Sequence, residues 1–371
     1  MKKTRTIRRT QEHSEILDNS FITPGRFREL DGLRGIAALA VVIGHFGATF
    51  NQNYIHSPQS PYSFPLGEMG VQLFFIISGY VILLTAIKSG SALKFMISRV
   101  ARLYPTYWFG IIIATLVYVL YGNPGRHITQ LQVLLNTTMM QRFIMVEDVD
   151  QVYWTLAVEM QFYLLMATYM LCRRGKIYRR ELTIGIIIWS VLGTILCIVV
   201  GVPHNALSKI ILWSVLAEHA PLFCLGMVLF MYSHDRRFTW LIPVLTIMAS
   251  INTYIMRDIL HAVTMLGICI LFFAVVHSPR VPFLSQGPIY FIGTVSYPLY
   301  LGHAMLGYMF IDILSQYLGP WGARGFTILL VILWAYIVHI TIETKISIAF
   351  RRILTRVLVT DRKKSVNRVK I

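Results

Sequence analysis

The chain has 371 residues, 56% of them hydrophobic and only 14% charged, with 34 Lys and Arg against 17 Asp and Glu. Soluble chains carry about 25% charged residues; here long apolar runs separate the charges, which excludes a soluble globular domain and points to a multi-pass membrane protein. The net charge of +17 is scattered over many short loops rather than gathered in one patch, which argues against nucleic-acid binding.

A basic segment, 1–32, precedes ten apolar runs at 33–50, 69–87, 105–122, 152–172, 182–202, 210–232, 238–256, 259–277, 289–312 and 325–350. They predict an all-α bundle of about ten transmembrane helices. The first run follows a polar stretch too long for a secretory signal and is expected to remain in the mature protein. It contains Arg34 and His45, eleven residues apart in RELDGLRGIAALAVVIGHF. That spacing is about 1100° of helical rotation, so the two share one stripe about 16 Å apart along the axis. Ionisable side chains inside a membrane span are costly and mark functional sites by default. Topological anchoring is the competing reading of Arg34, and an interhelical hydrogen bond that of His45.

After the second run, KSGSALKFMISRVARLYP places Arg99 and Arg102 three residues apart, on one face if the segment is helical. Paired guanidiniums suit phosphate oxygens; anchoring to anionic lipid explains the same charges without a ligand. Segment 123–151 holds an interfacial stretch around Leu131 to Ile144. The fourth run carries Glu159, the sixth Glu218, and the ninth Tyr300 and His303. With a rise of about 1.5 Å per residue, His45, Glu159, Glu218 and His303 fall about 9–12 Å below the outer boundary, compatible with one polar cavity. A neutral His can take the proton of a hydroxyl that attacks an acyl carbonyl, and a carboxylate beside it can orient the ring. Structural hydrogen bonds between helices are the alternative for Glu159, Glu218 and His303. Cys172, Cys197, Cys224 and Cys269 lie within or at the ends of apolar runs at no ligand spacing, so neither a disulfide framework nor a metal site is expected.

Counting Lys and Arg in alternate loops gives 27 on one side and 5 on the other. Cytoplasmic loops carry the excess, so both termini are expected in the cytoplasm and the number of helices is even. No internal repeat of the kind that builds many transporters is visible.

The strings DGLRGIAALAVVIGHF, GVQLFFIISGYVILLT, Arg99-x-x-Arg102-Leu-Tyr-Pro, WTLAVEMQFY, HAPLFCLGMVLF and SYPLYLGH, in that order, resemble the acyltransferase-3 family of membrane-bound O-acyltransferases. The resemblance runs from Glu29 to about Glu343. It implies a ten-helix bundle in the bacterial cytoplasmic (inner) membrane that moves an acyl group, commonly acetyl, from cytoplasmic acyl-CoA to a carbohydrate hydroxyl. It further implies that His45 is catalytic, that Arg34 belongs to the same motif, that Arg99 and Arg102 serve the donor, and that Glu159 supports the site. Departures are Gly302, where many members carry Trp, and HITIETKIS, where members often place Pro, so that Glu343 is expected in a local ion pair beside Lys345. Members that modify the peptidoglycan wall often have a further hydrolase-like domain where this chain has a basic tail, which makes a wall acceptor less expected.

The expected organisation is a basic cytoplasmic segment 1–32, a transmembrane acyltransferase domain 33–350 and a basic cytoplasmic tail 351–371. The expected activity is O-acylation of a cell-envelope or extracellular glycan, a lipid-linked sugar or a small glycoside. Its site would comprise His45, Arg34 and Glu159 for catalysis, Arg99 and Arg102 for the donor, and Glu218, Tyr300 and His303 as acceptor or cavity residues. Acetyl-CoA is expected as donor substrate, with no bound cofactor, and homo-oligomerisation stays open. The competing function is a proton-coupled transporter or flippase of a glycan or lipid, to which intramembrane Glu and His are also suited.

Overall fold

The computed structural model describes residues 16–18, 27–122, 127–236, 239–278 and 280–360. Most of the expected N-terminal segment and the end of the tail lie outside them. Among the described residues the regular structure is helical, apart from an isolated antiparallel bridge between Ile16 and Tyr178. In chain order the helices are α1 (Arg28–Gly44), α2 (Gly70–Ser89), α3 (Ala92–Tyr121), α4 (Gln130–Asn136), α5 (Trp154–Cys172), α6 (Arg179–Val200), α7 (Ala206–Ser214), α8 (Ala220–Asp235), α9 (Leu241–Met256), α10 (Ile259–His277), α11 (Gly287–Thr294), α12 (Ser296–Gly302), α13 (Met305–Val338) and α14 (Ser347–Thr355).

Among the described residues seven helical stretches are long and apolar enough to cross a membrane: Arg28–Asn53, Pro65–Ser89, Ala92–Tyr121, Trp154–Cys172, Arg179–Val200, Ile259–His277 and Met305–Val359. Leu241–Met256 is shorter and apolar. Besides the run 33–50, which leaves α-helical geometry at His45–Thr49, two of the ten expected runs are interrupted. The run 210–232 breaks between α7 and α8, where Leu216 takes a left-handed φ of 53°. The run 289–312 breaks twice, at Val295 and around His303. Hydropathy averages over a window and does not register such breaks. At Gly319 (φ 65°, ψ 175°) α13 turns, and Pro320 follows because it cannot continue the preceding arm.

The described residues fall into two compact units. One takes its residues from Met1–Arg26, Phe75–Met96 and Gln161–Pro279, the other from Phe27–Phe74, Ile97–Met160 and Arg280–Ile371.

In the first unit α2 and α8 meet backbone to backbone. A Cβ on Gly79 would lie 2.1 Å from the Phe223 carbonyl oxygen, and one on Gly226 would lie 2.0 Å from that of Ile76. Such small-residue contacts let membrane helices approach closely. Inside a bilayer a helix break strands carbonyls that water cannot reach. The α7–α8 break is paired by side chains: Gln161 Nε2 donates to the Trp213 and Ser214 oxygens, Trp189 Nε1 to Val215 and Asn252 Nδ2 to Ala217.

In the second unit α1 packs against the turn Pro282–Ser285 and α11. A Cβ on Gly35 would lie 2.3 Å from the Ile289 oxygen, and one on Gly293 only 1.7 Å from that of Asp31. The segment expected at the outer interface does something else. Tyr104 Oη, Tyr107 Oη and Trp108 Nε1 of α3 donate to the carbonyls of Thr138, Asn136 and Thr137. Tyr104 is two residues from Arg102 and seventeen, or about 26 Å, from the far end of α3 at Tyr121. Residues 130–144 therefore fold back along α3 as a hairpin. Asn136, fully buried, ties its two arms by donating to the Gln132 and Glu147 carbonyls and accepting from Val149 N. Non-helical backbone survives at membrane depth only with such internal partners.

Candidate active site

The second unit brings two of the expected residues into contact. His45 closes α1 and opens a five-residue π turn, His45–Thr49, in which Gly47 (φ −92°, ψ −105°) leaves helical geometry. Single π turns inside α-helices concentrate at functional sites because they re-aim side chains. Here Tyr62 Oη donates to the Ile43 oxygen at 3.1 Å and Arg324 Nε to that of Phe46 at 2.9 Å. Arg324 also donates to the Pro320 oxygen and lies 4.9 Å over the Phe50 ring. His45 is thus displayed by a distortion that an arginine and a tyrosine hold from either side.

His303 stands at the other interruption, between α12 and α13. Its Nε2 is 3.1 Å from His45 Nδ1, and the ring centroids are 4.9 Å apart. Its Nδ1 is 2.8 Å from the Tyr300 carbonyl oxygen. His303 is fully buried, whereas the His45 ring keeps accessible surface. Tyr300 receives the Thr155 Oγ1 hydrogen bond at 3.0 Å and donates to the Val152 oxygen. Glu159 follows Thr155 by one turn of α5, on the same face, and lies within electrostatic reach of Tyr300. The loop before α5 supplies Asp150, which accepts from Met305 N and so caps the start of α13. His45, His303, Tyr300 and Glu159 therefore belong to one neighbourhood.

The other expected residues lie elsewhere. Arg34 makes an ion pair with Asp31 at 3.3 Å, one turn back on α1. Arg99 and Arg102 share a face of the continuous α3; Arg99 is buried and its Nη2 donates to Ser98 Oγ. The path from them to the histidines is short: Tyr297 Oη of α12 donates to the Leu103 oxygen, and a Cβ on Gly110 would touch Leu301. Arg102 to Gly110 is about 12 Å along α3. Glu218 sits in the α7–α8 break of the first unit, 3.9 Å from His219. Glu343 pairs with His339 at 2.7 Å one turn back rather than with Lys345 as expected, because i and i+4 face each other on a helix and i and i+2 do not.

Two features escaped the sequence. Arg324 fell into a presumed outer loop and is in fact 2% exposed; a lone Arg flanked by small residues at the edge of an apolar run is the signal that marks it. The missing side chain at Gly302 has a counterpart in Trp334, whose indole would lie 2.2 Å from a Cβ there. The space beside Gly302 is filled from α13.

The family model described as an acyltransferase domain, acyltransferase-3, matches residues 27–340. Among curated chains, the "Putative acetyltransferase ORF330" of Acidianus two-tailed virus is 24% identical over 74% of this chain and 81% of its own length. Nodulation protein 10 of Rhizobium leguminosarum bv. viciae is 29% identical over 38% of this chain and 44% of its own. Peptidoglycan O-acetyltransferase OatA of Listeria monocytogenes is 25% identical over 49% of this chain and 30% of its own. The chain thus spans less than half of the last two. No solved structure matches it.

Proposed function

Because the chain belongs to the acyltransferase-3 family and is a multi-pass membrane O-acyltransferase, we propose that it transfers an acetyl group from acetyl-CoA to a hydroxyl of a cell-envelope or extracellular glycan, with His45 as the reacting imidazole. The observation that carries this reading is the contact between His45 and a fully buried His303 at paired helix breaks. One imidazole keeps an accessible face, and the other supports it from behind.

Two chemical routes use the same nitrogen. As a general base, His45 removes the acceptor hydroxyl's proton while that oxygen attacks the thioester carbonyl; the C–O bond forms, the C–S bond breaks and the proton passes to the thiolate. As a nucleophile, His45 Nε2 forms a bond to the acyl carbon while the C–S bond breaks and the CoA thiolate leaves; the hydroxyl oxygen then attacks that carbon, the N–C bond breaks and the hydroxyl's proton passes to the thiolate. In both routes Arg99 and Arg102 hold the phosphates of the donor, with the thioester reaching over the roughly 12 Å of α3 that separates Arg102 from Gly110, which adjoins Leu301. Glu159, below Tyr300, contributes polar support on the acceptor side. The OatA relative is named for a peptidoglycan acceptor; the class proposed for this chain is a glycan or glycoside hydroxyl. The transport reading loses its ground, since an acyltransferase changes its substrate chemically.

The same proposal includes ten crossings in a bacterial inner membrane. Three come from the interrupted or short helices Ala206–Asp235, Leu241–Met256 and Gly287–Gly302, and the 27 to 5 bias of Lys and Arg puts both termini in the cytoplasm.

Thiol release from acetyl-CoA by the purified protein in lipid nanodiscs tests it, with and without an envelope-glycan extract. Release that needs the extract and is lost in His45→Ala, by the roughly 10²–10⁴-fold that general base catalysis contributes, is the expected result. Full turnover by folded His45→Ala would remove His45 from the reaction.

A further inference from the structure

We infer that His303 is a positioning residue that holds His45 as its Nδ1–H tautomer and thereby presents Nε2 as the bare lone pair. This deepens the proposed reaction and rests on His45 being its reacting group. The argument runs from the carbonyl outward. The Tyr300 oxygen 2.8 Å from His303 Nδ1 can only accept, so Nδ1 carries the hydrogen. In a neutral ring the other nitrogen, Nε2, is then an acceptor. It faces His45 Nδ1 at 3.1 Å, so Nδ1 of His45 must donate and its Nε2 is left with a lone pair. Among the described residues that nitrogen has no hydrogen-bond partner, and it belongs to the ring that keeps accessible surface.

This direction matters chemically because a wrongly protonated imidazole presents a hydrogen where a base or nucleophile needs a lone pair. The backbone carbonyl sets the relay, and it has no second tautomer. When His45 Nε2 takes the acceptor's proton, the positive ring donates through Nδ1 to a neutral His303, which donates in turn to Tyr300. The charge is stabilised through two hydrogen bonds, neither of which involves a carboxylate. Burial of His303 behind His45 keeps water from competing for the Nδ1 hydrogen. The fold guards the arrangement through α12, which carries Tyr300 and His303 on one turn, and through Trp334, packed on Gly302 beside them.

The test is nitrogen NMR of the full-length protein, labelled with ¹⁵N-histidine in nanodiscs, the His45 ring being assigned by its absence from a His45→Gln sample. The expected spectrum has a protonated Nδ1 and an unprotonated Nε2 for His45. The same ring with hydrogen on Nε2 in the wild type would overturn the inference without any variant. In kinetics, His303→Phe is expected to lower kcat by about 10–10²-fold with KM for acetyl-CoA within about threefold, as part of the contribution of general base catalysis. His303→Gln, whose amide oxygen can still accept from His45, should recover most of that loss. Folded His303→Phe with wild-type kcat, alongside an inactive His45→Ala, would defeat this inference and leave the proposed function standing; an active His45→Ala would defeat both.

Discussion

Replacing Arg324 with Ala should both destabilise the protein and slow it, because one side chain holds the distortion that displays His45. Arg324 is buried, and its guanidinium donates at 2.9 Å to the oxygens of Phe46 and Pro320. Deletion removes the side-chain donor from the buried Phe46 oxygen, at about 1–3 kcal/mol, and opens space beneath Phe50. Removal of the charge recovers some desolvation free energy, so the net loss should be about 1–3 kcal/mol. Arg324→Lys keeps the charge but not the planar fork, and should fall between wild type and Ala. The Phe46 carbonyl adjoins His45, so turnover should fall with stability, by tenfold or more, since a misplacement of about 1 Å in a catalytic group can cost about 10²-fold. Thermal unfolding followed by tryptophan fluorescence in nanodiscs, with thiol release measured below the transition, reads both effects. An Arg324→Ala protein that melts at the wild-type temperature and turns over at the wild-type rate would refute the assignment of Arg324 as the brace of the π turn.

Two further outcomes follow from the second unit. Gly293→Val should disable the enzyme through packing alone: its Cβ would start 1.7 Å from the Asp31 oxygen, forcing α1 and α11 apart at a cost of about 1–3 kcal/mol or more. Gly267→Ala, which has open space around its Cβ, is the matched control and should be neutral or more stable by up to about 1 kcal/mol; equal losses in the two would remove close helix packing as the cause. Arg99→Ala combined with Arg102→Ala should raise KM for acetyl-CoA by tenfold or more with a smaller change in kcat, given about 1.5–3 kcal/mol for each charge-assisted contact to phosphate. A fall in kcat at unchanged KM would place the pair in the architecture rather than at the donor.

What could be read from the sequence followed what each pattern measures. Window hydropathy located the apolar material correctly, and the eleven-residue spacing placed Arg34 and His45 on one helix. Depth along the membrane put His45 and His303 at one level, where they do touch. The same estimate included Glu218, which lies in the α7–α8 break of the first unit. The helix breaks were not legible, since carbonyls freed at 213–217 are capped by Gln161, Trp189 and Asn252, residues distant in sequence and unremarkable in composition. The contact of segment 130–144 with α3 was not legible for a related reason. Its exposed Leu131, Leu134, Phe143 and Ile144 suggest an interfacial stretch, whereas the hydrogen bonds from Tyr104, Tyr107 and Trp108 that draw it inward come from another helix.

The two charged ends of the first motif do different work. Arg34 and His45 share a stripe, but about 16 Å of helix separates them, so Arg34 cannot touch the atoms that His45 Nε2 touches. Arg34 instead lies beside Asp31, whose ion pair offsets its charge and whose backbone oxygen abuts Gly293. At that crossing Gly32, Gly35 and Gly293 bring α1 against the segment leading into α12. α1 ends in His45, and α12 leads directly into His303. Placement of one imidazole relative to the other is therefore set at a helix crossing some three turns away. We propose that Arg34, by stabilising this crossing through Asp31, acts on the reaction through geometry.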